Sequence, residues 1–132
     1  MTAVAPVTTA VVATLTAAGL SVYRNAGPSN PETKVPYVLV YTQSPTTDGP
    51  TGAPNADAEY TVQLKYVSNG PGGCEVTGDK ARAAVLALTP PAGYALAGPV
   101  TPEGGQPARE DPDTTGPLWM ADELFSVQLT PM

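Results

Sequence analysis

The sequence predicts an α+β fold: a mostly antiparallel sheet of four to five strands, two helices packed on one of its faces, and long Pro/Gly-rich loops. Three observations predict it. Residues 58–67 alternate between apolar and polar as far as Tyr66, the period of a strand with one buried and one wet face. Two other segments repeat their apolar residues at helical spacing. Sixteen prolines and 13 glycines gather in clusters between these segments, at a total below the ~25–30% that marks a disordered chain. The 132 residues fit a single domain spanning 1–132, large enough to hold a core without staples.

The first element is a helix over 6–18. Val7, Val11, Leu15 and Ala18 recur at one face, Pro6 suits a first turn, and Gly19 stands where helices commonly stop. Leu20 to Tyr23 follows as a short strand. A loop with prolines at 28, 31 and 36 leads to Tyr37–Thr42, which is apolar without alternation, as in a strand covered on both faces. Pro36 has no N–H, so it sets the entry of that strand rather than sitting inside it.

Tyr60, Val62, Leu64 and Tyr66 give the buried face of the next strand, Thr61, Gln63 and Lys65 its other face. The connection from 44 to 57 is long for a hairpin, where ~2–5 residues are usual. A second helix is predicted over 77–88, with Ala81, Ala84, Val85 and Leu88 on its apolar face, Thr77 as its cap, and Pro90-Pro91 ending it. Tyr94–Val100 reads as a weak strand, 101–117 as a Pro/Gly/acidic loop, and Leu118–Leu129 as a closing strand. In that last strand Trp119, Ala121, Phe125, Val127 and Leu129 share one parity, which Glu123 alone interrupts.

The chemistry available is narrow. There is no histidine, which removes the commonest general base at neutral pH and every Ser-His-Asp arrangement. The single cysteine, Cys74, excludes an internal disulfide and has no histidine to activate it. Six basic residues against 12 acidic, net −6, argue against binding nucleic acid by phosphate neutralisation. No run of ~20 apolar residues predicts a membrane span, and the N-terminus lacks the basic segment of a signal peptide.

Two motifs are near misses. Gly73 to Lys80 resembles a phosphate loop, but Asp79 stands where the lysine is needed, and Ala81 rather than Ser or Thr follows Lys80; it reads as a Gly-rich lead into the helix. Asp111, Asp113, Gly116 and Asp122 fall at positions one, three, six and twelve of an EF-hand loop. Pro102, Gly104, Gly105 and Pro107 preclude the entering helix, and the segment after reads as a strand, so no metal and no cofactor is expected. Glu110, Asp111 and Asp113 form an acidic cluster that reads as solvated. Tyr37 and Tyr41 share a parity and are candidates to flank an interface, with Pro45 and Asp48 in the loop beyond them.

The whole order of elements resembles the tail terminator (tail completion, minor tail) proteins of long-tailed bacteriophages. The features that carry the likeness are the helix ending at Gly19, the Val22-Tyr23 strand, the Pro-rich loop into Pro36-Tyr37-Val38-Leu39-Val40, the Tyr60-Thr-Val-Gln-Leu strand, the Ala-rich helix ending Val85-Leu86-Ala-Leu88, and the final Leu124-Phe-Ser-Val-Gln-Leu129. They cover almost the full chain and are patterns rather than a chemical signature. The resemblance implies a homohexameric ring at the head-proximal end of the tail, in contact with the tail tube protein on one side and head-completion or neck proteins on the other. It implies no reaction, synthesis in the bacterial host cytoplasm, and DNA passing through the lumen without sequence-specific binding, with Glu110, Asp111 and Asp113 as lumen-facing candidates. Another head–tail joining protein is the nearest alternative. A small calcium- or ligand-binding module around 111–122 and an enzyme using the 110–113 carboxylates are further ones.

Overall fold

The computed structural model describes residues 4–29, 34–47, 58–110 and 118–132, with only the backbone of 44–47. The chain runs α1 (Val4–Ala17), β1 (Val22–Arg24), β2 (Tyr37–Thr47), β3 (Ala58–Ser68), α2 (Pro71–Leu86), β4 (Tyr94–Leu96), β5 (Thr101–Glu110) and β6 (Trp119–Pro131). Six strands form one sheet in the order β1-β2-β3-β6-β4, with β5 also paired to β6. Only the β1–β2 pair is parallel; the others are antiparallel. The expected α+β class and mostly antiparallel sheet are present, with one strand more than the four to five predicted.

Each helix owes its place to a stripe of small or branched apolar residues. In α1, Val7, Val11 and Leu15 are buried against the sheet. Its end has the geometry of a Schellman cap: Leu20 N–H donates to Leu15 O and Gly19 N–H to Thr16 O, with Gly19 at φ 88°, a backbone shape that glycine adopts without penalty. In α2 the stripe is Cys74, Thr77, Gly78, Ala81 and Val85, continued by Leu88. This helix starts six residues before the expected Thr77, which is buried in its interior rather than capping it. Pro71 occupies the first turn, which costs no hydrogen bond, and two glycines bring the helix close to the sheet. A Cβ on Gly78 would stand 3.0 Å from the Tyr66 ring, and one on Gly73 would overlap Ser68. Low intrinsic helix propensity at Gly72 and Gly73 hides this first turn from sequence reading.

The main core lies between the helices and one sheet face. Val38, Val40, Tyr60, Val62, Leu64, Tyr66, Phe125, Val127 and Leu129 meet α1 and α2 there. The non-alternating start of β2 divides between two cores, as a strand covered on both faces should. Val38 and Val40 join the main core, while Tyr37 and Leu39 join Val67 and Leu118 in a smaller cluster on the opposite face.

The largest correction concerns 101–110, expected as loop and found as β5. Its ladder with β6 runs from Thr101–Ser126 to Glu110–Trp119 and is interrupted between Pro102 and Gly104 and between Gln106 and Arg109. Prolines and bulges are tolerated because β5 lies at the sheet edge. Gly105 is required by close approach: a Cβ there would collide with the Asp122 carbonyl oxygen. The other bounds shift by a few residues. β1 begins at Val22 instead of Leu20, β2 runs on to Thr47, and β4 stops at Leu96 instead of Val100.

Two substitutions test this packing by urea unfolding. Phe125→Ala removes a ring with no exposure and should cost about 3–5 kcal/mol. Gly105→Ala should cost about 1–3 kcal/mol by forcing β5 off β6, although the position is exposed in the fold; a neutral result would show that β5 is not held as described.

Candidate assembly surface

The sheet has a helix-covered face and a face that neither helix covers, and the register fixes which side chains lie on each. Tyr41, Gln43, Gln63, Lys65, Asp122 and Leu124 are brought together on the face away from the helices. At one end of this face, Tyr37 packs its ring edge-on to Tyr23, with centroids 5.5 Å apart and planes at 82°, a favoured geometry for aromatic pairs. Tyr37 retains only 5% exposure. Its ring is mostly used inside the chain, which leaves little of it for the interface expected there. Tyr41 is half-buried beside that cluster and keeps some area for a partner. Pro45 falls within β2, in the register shift between Gln43 and Thr46. Asp48, Asp111 and Asp113 lie outside the described residues. Glu110 is exposed at the end of β5, opposite Trp119.

Asp122 is bound up in the sheet. Gln106 N–H donates to its Oδ1 at 3.0 Å, while Gln63 Nε2 at 3.5 Å and Arg109 Nη2 at 3.6 Å approach Oδ2. The carboxylate thus helps fix β5 against β6 across one of the irregular steps in their ladder. Its oxygens face donors, which is the wrong setting for a cation ligand. Among the described residues no group of three or more His, Cys, Asp or Glu is placed to hold a metal. The phosphate-loop likeness at Gly73–Lys80 is also accounted for, since those residues are helical and their glycines face Ser68 and Tyr66.

The residue that interrupts the parity of β6 has a partner on α2. Glu123 lies on the helix-covered face and accepts hydrogen bonds from Arg82 Nε and Nη2, both at 2.9 Å, and from Tyr66 Oη at 2.8 Å. Arg82 Nη1 also reaches Asp79 at 3.2 Å. This fork-to-carboxylate geometry is the strong, directional form of an ion pair. Burial, then the Glu123 hydrogen bond and charge, push the Tyr66 hydroxyl well above its ordinary value, so it stays a donor. The Glu123 hydrogen bond raises Arg82 in turn. Sequence reading singled out Glu123 only as an exception; a lone acid on an otherwise apolar strand face is the signal that a basic partner exists.

Cys74 is 1% exposed, donates to Tyr66 O at 3.6 Å, and has its thiol pushed up by burial. Among the described residues the thiol is bonded to a carbonyl oxygen and not to a base. No helix among the described residues is long and apolar enough to cross a membrane.

No family model matches the chain, and no curated protein does. A solved structure shares its fold. A chain from the virion of a native gene transfer agent (GTA) particle superposes with a TM-score of 0.66 at 18% identity, covering 97% of this chain and 98% of that one. The likeness therefore extends through both helices and the whole sheet, and at this identity it is a likeness of fold.

Two outcomes follow from the polar network. Alkylation of Cys74 in the folded protein should be at least tenfold slower than in urea; equal rates would contradict its burial. Replacing Tyr66 by Phe should destabilise the protein at neutral pH by about 1 kcal/mol. The folded-state value of Tyr66 lies above its ordinary 10.0, so its contribution is complete below pH ~10 and falls as the pH rises above it. The gap between wild type and Tyr66→Phe in unfolding free energy should therefore narrow in alkali.

Proposed function

We propose that this protein is a structural component of a phage-like virion: a tail terminator that forms a ring at the head-proximal end of the tail tube, ends its polymerisation and joins tail to head. The observation that carries the reading is the fold shared, end to end, with a chain of a gene transfer agent virion. The element order that resembles tail terminators supports the finer assignment. The chain's own chemistry is consistent with a scaffold. Its half-buried Glu123 is paired with an arginine, its thiol is buried, and the polar side chains around Glu123 tie strands to a helix.

In this reading the copies meet head to tail and must close at six, because a heterologous contact that fails to close grows a filament. The long connections around 24–36 and 44–57 reach neighbouring subunits or the tube, with Tyr41, Pro45 and Asp48 on or near that path. Glu110, Asp111 and Asp113 face the lumen, where negative charge repels the DNA backbone and keeps passing DNA from adhering.

Native mass measurement of the purified protein, alone and mixed with the tail tube protein of the same genome, tests the reading. A ring-sized species in either sample is expected, with tube growth arrested when the two are combined. A monomer indifferent to the tube would overturn the terminator assignment. Binding to portal-side proteins instead would favour a different head–tail joining role. Replacing Glu110, Asp111 and Asp113 by Lys should increase DNA retention in the isolated ring; unchanged retention would remove them from the lumen.

A further inference from the structure

Strand β5 has a buried apolar anchor at each end and none between them. Val100, just before it, is 5% exposed and packs in the main core, and Leu118, at the entry to β6, is 3% exposed in the smaller cluster. Between these anchors nine of the ten positions of β5 are exposed and none is buried. β3, on the other edge of β6, has no exposed position, and its ladder with β6 is unbroken from Ala58–Leu129 to Ser68–Trp119. The β5 ladder is broken twice, and Pro102 and Pro107 have no N–H to add to it. Beyond the ladder, the middle of β5 is fixed by Asp122, which accepts from Gln106 N–H at 3.0 Å and lies 3.6 Å from Arg109 Nη2.

Local stability follows buried apolar area and protected hydrogen bonds. By that measure β5 and β3 are opposites, although both are bonded to β6. Lifting β5 away takes no buried side chain with it, and Phe125, Val127 and Leu129 stay covered by the helices. What it uncovers is specific. Gln106, Pro107 and Ala108 form one wall of a cavity of about 240 Å³, whose other walls include Cys74 and Arg82 of α2 and Glu123 of β6. β5 also covers the edge of β6 from Trp119 to Ser126, a row of N–H and C=O groups that is otherwise a template for pairing with other chains. β5 is a poor template itself, because prolines, bulges and the exposed charges of Glu103, Arg109 and Glu110 all blunt an edge.

We infer that residues 101–110 are a strap that opens and closes on β6 as a unit, with Val100 and Leu118 as its fixed ends, while the core stays folded. Closed, the strap seals the edge of β6 and the cavity beside Cys74. Open, it bares both. Asp122 is the latch, since it alone holds the strap through a side chain from β6 to both Gln106 and Arg109 among the described residues. Neither the strap nor its latch depends on the chain forming a ring.

Hydrogen exchange and Cys74 alkylation of the full-length protein, each followed from zero urea to just below the unfolding transition, test the strap. Amides of 101–110 should exchange about a hundredfold faster than those of β3, with a urea dependence well below that of global unfolding, the mark of an opening that exposes little new surface. Cys74 alkylation should share that shallow dependence, because it proceeds through the same opening. Asp122→Ala, which removes the latch, should speed both by about tenfold, with the fold checked by circular dichroism. Val62→Ala, which thins the core beneath open and closed states alike, should speed β3 exchange and leave β5 exchange and Cys74 alkylation unchanged. Wild-type β5 amides that exchange as slowly as those of β3, with the full urea dependence, overturn the strap, because β5 then leaves only when the whole fold does. Cys74 alkylation that follows the global dependence overturns the seal on the cavity.

Discussion

Strand β6 is bonded along both of its edges, and the rest of the structure depends on that constraint. One edge takes β3 through the full register from Ser68–Trp119 to Ala58–Leu129. The other takes β5 and then β4 in succession, from Glu110–Trp119 to Tyr94–Pro131. The last strand of the chain therefore becomes an interior strand of the sheet, and everything between β3 and β6 must fold out and return around it. Its helix-side residues carry both kinds of glue. Phe125, Val127 and Leu129 supply the apolar area, and Glu123 supplies the directed link to Arg82 of α2 and Tyr66 of β3. Apolar contact alone sets how close α2 approaches. The bidentate pair adds where along the strand it sits, because a fork and a carboxylate match in only one alignment.

Much of this was legible in the sequence, and the reason differs by element. β3 reads correctly because its faces meet different media: helices on one side and no helix on the other, so selection for burial leaves a period of two. β2 reads correctly because it has two cores to serve, and Tyr37, Val38, Leu39 and Val40 are all buried. α1 is announced by its spacing and its Gly19 stop. What these share is that the local pattern and the tertiary environment agree.

β5 and the start of α2 were not legible, because there the tertiary fit overrides local preference. Thr-Pro-Glu-Gly-Gly-Gln-Pro-Ala-Arg-Glu has no alternation and a single β-branched residue, Thr101, and it buries almost nothing. It is a strand because β6 offers a free edge, Gly105 permits the approach, and Asp122 binds the Gln106 N–H across a bulge. Each of these facts lies some 16 residues away in sequence. The first turn of α2 is likewise decided by Ser68 against Gly73. The site shows the same limit. Tyr37 and Tyr41 share parity and composition, yet Tyr23 crosses over to claim one ring and not the other. A tyrosine on a sequence face says that a ring is on that side; it does not say which chain covers it.

Helix α1 joins these lines of argument. It is 14 residues long, rich in Thr and Val, and uncharged, so it has poor intrinsic propensity and no ion pairs along its side. A helix of this composition is not stable alone in water; it forms because Val7, Val11 and Leu15 pack on the sheet. Its threonines lessen the usual cost of an exposed polar face. Thr14 bonds back to its own helix, and Thr8 Oγ1 lies 3.0 Å from Val4 O and 2.7 Å from Thr42 Oγ1. Hydroxyls satisfied inside the chain make little demand on water. Alanine and proline between them make none. A charged outer face would have kept the helix soluble at less risk of association, and it would also have made covering the helix expensive, since each charge must be desolvated or paired. Apart from exposed Thr16, the outer face of α1 is apolar or bonded within the chain, so covering it costs little.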